Sequence, residues 1–181
     1  MQTPSDKELM LKVRDGGDLD AFDQIVLRHQ KSAWAIACRF LGDRHEAEDV
    51  VQDAFLRLLE AAGRYQPTCS FNTYFYRIIS RLCLDRVKKK QPRCLDVLPD
   101  VSDSKLGAAG EMEKAQEADA VRAALDALLP QQRIAVVLRY YEGLSYQDIA
   151  SALETTPKTV ERLLARGRDR LQVILKTGKD F

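Results

Sequence analysis

The sequence predicts an all-α fold: two small helical domains joined by a flexible linker, the second containing a helix-turn-helix. Three observations carry this. Apolar residues recur at three- and four-residue spacing almost wherever a period is clear, and no run of any length alternates as a strand does. Between them, residues 92–110 are rich in Pro, Asp, Ser and Gly and hold no period. The predicted division is 1–91, linker 92–110, and 111–181.

Each element has its own start and stop signals. Ser5 with Glu8 three residues on has capping-box spacing and opens a helix that stops at Gly16-Gly17. A second runs from about Asp20 to Leu41, with Phe22, Ile25, Val26, Trp34, Ile36 and Ala37 as its apolar set and Gly42 as its C-terminal cap. Asp43 with Glu46 repeats the capping spacing and starts a third, which ends near Ala62-Gly63. After a loop over Arg64–Ser70, a fourth helix reaches Lys90 before Gln91-Pro92. Helical signal resumes from Glu111 to Leu129. Pro130 suits the first turn of a helix closed by Gly143, Ser145 and Asp148 open a short one to Leu153, and Thr156-Pro157 starts the last, to about Lys176.

Composition narrows the class. With 181 residues, 45% hydrophobic and 30% charged, the chain is an ordinary globular protein. No run approaches the roughly 18–20 apolar residues of a membrane span, and MQTPSDKE is no signal peptide, so a cytoplasmic protein without membrane insertion is expected. The cysteines (Cys38, Cys69, Cys83, Cys94) and histidines (His29, His45) lack metal-ligand spacing, so neither metal nor cofactor is expected. Cys38 and Cys83 lie in apolar helical runs and read as small core residues. The same inventory holds no nucleophile–base grouping, which sets aside a helical hydrolase.

The net charge of +1 conceals a partition. Gly42–Glu60 carries six acids (Asp43, Glu46, Glu48, Asp49, Asp53, Glu60) against Arg44 and Arg57. Arg77–Arg93 carries seven bases (Arg77, Arg81, Arg86, Lys88, Lys89, Lys90, Arg93) against Asp85. Pro157–Lys176 carries six (Lys158, Arg162, Arg166, Arg168, Arg170, Lys176) against Glu161 and Asp169. On the fourth helix Phe71, Phe75, Ile78, Ile79 and Leu82 form the predicted core stripe. Beside it run Tyr74, Arg77, Arg81, Asp85 and Lys88, an aromatic leading a line of cations, as suits single-stranded nucleic acid. In the last pair of helices Leu144, Ile149, Ala150, Leu153, Val160 and Leu164 seal a helix-turn-helix. Lys158, Thr159, Arg162, Arg166 and Arg170 lie on its far side, toward a major groove.

Both halves together resemble the bacterial sigma-70 family, in its short extracytoplasmic function (ECF) group. The residues that carry this are Leu41–Leu58, with Glu46-Ala47-Glu48-Asp49-Val50-Val51-Gln52-Asp53-Ala54-Phe55-Leu56, then Phe71–Ile78 and Leu84-Asp85-Arg86. In the second half they are Leu128-Leu129-Pro130, Gln132-Arg133, Glu142–Ala150 and Lys158-Thr159-Val160. The resemblance implies a promoter-specificity subunit without catalysis of its own, whose partners are core RNA polymerase, promoter DNA and an anti-sigma factor. It implies that Asp49, Gln52, Asp53, Phe55 and Leu56 dock on the polymerase. Tyr65, Phe71, Tyr74, Arg77, Arg81, Arg86, Lys88 and Lys89 would melt and read the minus-ten element, with the loop Gln66–Ser70 holding an extruded base. Ser145, Thr156, Lys158, Thr159, Arg162 and Arg166 would read the minus-thirty-five duplex, and the last domain would also touch the polymerase flap.

Three positions depart from the family pattern: Tyr74 stands where Trp is usual, Arg81 where Asn is usual, and Glu154 where the turn commonly has Gly. Tyr can still stack, and Arg81 suits a phosphate; Glu154 costs little provided its backbone avoids the left-handed region. The competing reading is a stand-alone helix-turn-helix regulator with an unrelated first half, and the acidic third helix discriminates between the two. Near-neutrality argues against tight nonspecific DNA binding by the free chain, and so for a protein that reads DNA once polymerase holds it.

Overall fold

The computed structural model describes residues 3–90 and 120–177, all helices and connections, with no strand among them. The expected linker 92–110, Cys94 and the start of the fifth helix lie outside the described residues. The first unit holds α1 (Asp6–Gly16), α2 (Leu19–Leu41), α3 (Arg44–Glu60), a single 3-10 turn (Ala62–Arg64) and α4 (Phe71–Lys90). The second holds helical residues 120–126 (α5), then α6 (Pro130–Tyr140), α7 (Tyr146–Ala152) and α8 (Pro157–Thr177).

The predicted caps form. Glu8 N–H donates to Ser5 Oγ at 3.3 Å and Ser5 N–H to Glu8 Oε2 at 2.7 Å, a complete capping box. Asp18 caps α2, and Gly17 and Gly42 take the left-handed conformation (φ 63° and 71°) that closes α1 and α2. At α3 only half a box is made: Asp43 accepts from Glu46 N–H, while the Glu46 carboxylate is drawn to Lys90 Nζ at 2.6 Å. The third helix stops at Glu60, short of the expected Ala62-Gly63, and the 3-10 turn carries the chain to Tyr65.

Around α2, the helices α1, α3 and α4 pack Leu9, Met10, Ile25, Ile36, Phe40, Leu58, Phe75 and Ile79 into the interior, each at most 1% exposed. In the second unit Ile134, Leu138, Ile149, Val160 and Leu164 are fully buried between α6, α7 and α8, while Leu144 and Leu153 are partly buried at the margin. At Gly167 an added Cβ would lie 3.1 Å from Val136 Cγ2, so glycine permits the close approach of α8 to α6.

The turn of the helix-turn-helix departs from expectation. Glu154 has φ 51°, inside the left-handed region, and Thr155 N–H closes the turn on Ala150 C=O at 2.9 Å. A side chain there costs about 1–2 kcal/mol, against about 0.5–1 kcal/mol for the extra unfolded-state freedom of glycine. Glu154→Gly is therefore expected to stabilise the chain by about 0.5–1 kcal/mol in a denaturant titration. A loss of stability would mean that the glutamate side chain contributes more than its strain removes.

The two units are packed together. The helix α7 lies on α4, and α6 touches both α2 and α4, so the buried residues of both halves form one continuous apolar cluster. Arg133 pins the junction: Nη1 donates to Phe40 C=O at 2.8 Å and Nη2 to Asp126 C=O at 2.7 Å, with the Asp126 carboxylate at 2.9 Å. Arg39 lies over the Tyr141 ring at 4.3 Å.

Candidate nucleic-acid and polymerase interfaces

On α3, a helix turn brings Asp49, Gln52, Asp53 and Leu56 to one solvent-facing surface; Leu56, at 59% exposed, is an apolar side chain among acids. Phe55, also expected at the polymerase, is buried here: its ring lies 4.9 Å from that of Phe75 and 6.4 Å from that of Phe22, and it fixes α3 to the core. The acidic face is bridged to the basic end of α4: Arg86 reaches Asp49 at 3.5 Å, and Lys90 reaches Glu46. Arg86, expected at DNA, is thus turned toward α3 here.

The stripe on α4 is present but divided. Arg81, Lys88 and Lys89 are exposed, whereas Tyr74 and Arg77 are half-buried. Arg77 Nε donates to Ser151 C=O in α7 at 3.1 Å. Tyr65 and Phe71, also expected at DNA, are interior residues. Tyr65 is 1% exposed with its ring 5.2 Å from that of Tyr74, and Phe71 stacks on Phe75 at 5.8 Å. Burial pushes the phenols of Tyr65 and Tyr74 above their usual range.

A third face of α4, polar in sequence, is covered by the second unit: Thr73, Tyr76 and Ser80 are all buried. Thr73 Oγ1 donates to Asp148 Oδ1 at 3.2 Å, and Tyr76 Oη to Glu142 Oε2 at 3.0 Å. Burial first, then the Glu142 carboxylate, push the Tyr76 phenol up to about 12, so it stays a donor at every physiological pH. Sequence reasoning missed these three because a polar residue on a helix reads as solvated. The only available signal was their spacing of three and four.

On the second unit, Ser145 and Thr156 are helix caps. Their hydroxyls accept from Asp148 N–H at 3.1 Å and Thr159 N–H at 3.2 Å, which orients α7 and α8. Lys158, Arg162 and Arg166 project from α8 into solvent and Thr159 is half-buried beside them. Arg166 also faces Arg77, Arg81 and Lys88 across an open groove of about 600 Å³ between the units, floored by Leu84, Leu129, Leu153 and Leu163. Among the described residues no group of three or more His, Cys, Asp or Glu could hold a metal, and no helix is long and apolar enough to cross a membrane. Cys83 is buried in the core, and burial pushes its thiol up to about 12.

Comparison with known families matches both units. Residues 25–93 match Sigma-70 region 2, and residues 118–171 match Sigma-70, region 4. The ECF RNA polymerase sigma factor SigE of Mycolicibacterium smegmatis is 33% identical over 93% of this chain and 68% of its own. The chain belongs to the ECF group of the sigma-70 family. It is a sigma subunit of RNA polymerase, a transcription-initiation factor. A second relative, the RNA polymerase sigma-H factor of Pseudomonas aeruginosa, is 30% identical with 94% of each chain covered. Among solved structures, CnrH in complex with the cytosolic domain of CnrY superposes with TM-score 0.72 at 26% identity, over 96% of this sigma factor and 99% of that chain. The sigma factor RpoE of Bartonella quintana, in complex with the anti-sigma factor NepR, shares the fold, with TM-score 0.65 at 21% identity over 86% and 96% of the two chains. In this sigma factor the region 2 match runs from within α2 through α4, and the region 4 match ends within α8; α1 precedes both.

Proposed function

We propose that this sigma subunit docks on core RNA polymerase through the exposed face of α3, melts and reads the minus-ten element with α4 and the loop before it, and reads the minus-thirty-five duplex with α8. The domain division 1–91, 92–110 and 111–181 is part of this reading. One observation carries it: three helices present three differently charged faces, acidic with an apolar residue on α3, aromatic and cationic on α4, cationic and polar on α8. Acid meets protein and base meets DNA. Promoter opening needs no reaction step, because binding of unstacked bases offsets the cost of separating them.

The packing of α7 over Arg77 and Thr73 gives the regulation a geometry. In this arrangement the stripe cannot take a strand of DNA along its whole length, so the units separate when a promoter is bound. An anti-sigma factor of the kind implied by CnrH held with CnrY would keep them together. The groove between the units suits an acidic amphipathic helix, since Arg77, Arg81, Lys88 and Arg166 rim a floor of leucines. The shallow apolar pocket of the second unit rimmed by the exposed rings of Tyr140 and Tyr141 suits the polymerase flap.

Base reading and phosphate contact separate experimentally. Arg162→Ala is expected to relax the choice among minus-thirty-five sequences, since one base contact is worth about 1–3 kcal/mol of discrimination. Lys88→Ala is expected to weaken holoenzyme binding to every promoter alike and to lower the slope of log affinity against log salt by about one. Run-off transcription on a pool of promoter variants measures both. Equal loss across the pool for Arg162→Ala would remove α8 from base reading.

A further inference from the structure

We infer that α1 is a strap that positions the promoter-melting loop, with Arg14 as its positioning residue. The inference rests on the assignment of that loop and α4 to the minus-ten element. Residues 65–70 have little structure of their own. The loop makes one internal backbone bond, Thr68 N–H to Gln66 C=O at 2.8 Å, and Gln66, Pro67 and Thr68 are exposed. A segment so poorly bonded must either be held from outside or lose its freedom when DNA binds, and the latter subtracts from the energy available for melting.

The structure holds it from outside at both ends, from α1 directly at one and from α1 through α2 at the other. At the leading end Arg14 Nη1 donates to Tyr65 C=O at 3.2 Å. The guanidinium is pre-aimed, because Nε and Nη2 both bind the Asp15 carboxylate, at 2.6 and 3.1 Å, leaving Nη1 free for the carbonyl. At the trailing end Asp6 Oδ2 pairs with His29 Nε2 at 2.9 Å, and the His29 ring lies 4.8 Å from that of Phe71, the first residue of α4. The other Asp6 oxygen binds Arg28 Nη1 at 2.8 Å, which in turn donates to Pro4 C=O. Tyr65, whose carbonyl Arg14 holds, is fully buried, with its hydroxyl unpaired among the described residues. The strap is itself anchored by Leu9, Met10 and Val13 in the core.

Nothing in this arrangement touches the α3 face or the helix-turn-helix. Its effect should therefore fall on opening rather than on docking. The test uses the full-length chain with core polymerase, on a promoter selected from genomic fragments by wild-type holoenzyme, with 2-aminopurine in the minus-ten element to report unstacking. The same promoter in pre-melted form is the second template. Arg14→Ala is expected to bind core as wild type does, to open the duplex about tenfold more slowly, and to match wild type on the pre-melted template. Arg14→Lys, which keeps a donor of similar reach, is expected to recover most of the opening rate. Tyr74→Ala on the stripe serves as the second variant.

Normal duplex opening by Arg14→Ala beside slow opening by Tyr74→Ala would overturn the strap and leave the assignment of α4 standing. Equal loss on both templates, or weakened core binding, would overturn it in favour of a merely structural arginine. Normal opening by Tyr74→Ala would remove the assignment of the stripe itself, and the inference with it.

Discussion

Asp49→Lys is expected to weaken binding to core RNA polymerase by about a hundredfold, while leaving the fold and duplex binding by α8 unchanged. Asp49 is exposed on α3, two turns before the apolar Leu56 and beside Gln52 and Asp53. Reversing a charge at the centre of such a face both removes an attraction and introduces a repulsion, and a charge pair within an interface is worth about 2–4 kcal/mol. The cost to folding is small by comparison. Among the described residues the partner lost is Arg86 at 3.5 Å, an open pair of the kind worth about 0–1 kcal/mol. Titration of labelled chain with core enzyme, beside a thermal melt of the chain alone, separates the two effects. Wild-type core affinity for Asp49→Lys would move the docking surface off this face of α3.

The second large effect is on the joint between the units. Arg133→Ala is expected to destabilise the chain by about 3 kcal/mol and to enlarge its radius of gyration in X-ray scattering. The arginine belongs to α6 but satisfies the carbonyl of Phe40 at the end of α2, together with Asp126 and the Phe40 ring. Hydrogen bonds from a charged donor contribute about 1.5–3 kcal/mol each when their loss leaves the acceptor buried. An opposing term limits the total: burial disfavours the charged guanidinium and holds it below the usual arginine range, with the Asp126 carboxylate offsetting part of that. A change of stability without expansion would mean that Arg133 braces α6 alone and that other contacts hold the units together.

The helices themselves were legible from residue type and spacing, because caps, glycines and prolines act locally. Ser5, Gly17, Gly42, Pro130 and Ser145 do in the structure what their positions imply. The candidate faces were legible wherever they meet solvent, as at Asp49 and Arg162. Where the two diverge, the cause is a neighbour that local pattern cannot see. Phe55 lies in sequence among surface residues, yet Phe22 and Phe75 close over it, whereas the burial of Phe71 was already legible in the apolar stripe of α4. Arg77 reads as a free cation because nothing near it in the chain predicts Ser151 as its acceptor. Glu154 occupies a left-handed turn that its own residue type disfavours, a conformation imposed by the two helices it joins. The junction between the units was not legible at all, since the composition of the connecting segment says nothing of where its ends meet.

The covered face of α4 differs from an ordinary interior in one respect. Thr73, Tyr76 and Ser80 are groups that water can hydrate, and the Ser80 hydroxyl has no protein partner while α7 covers it. They sit beside apolar contacts that run on into the core of both units. The hydroxyl part of the joint gives up two hydrogen bonds on opening, Thr73 to Asp148 and Tyr76 to Glu142, and regains them from solvent. Separation of the units, as proposed for promoter binding, would therefore return Thr73, Tyr76 and Ser80 to water at little cost in hydrogen bonding.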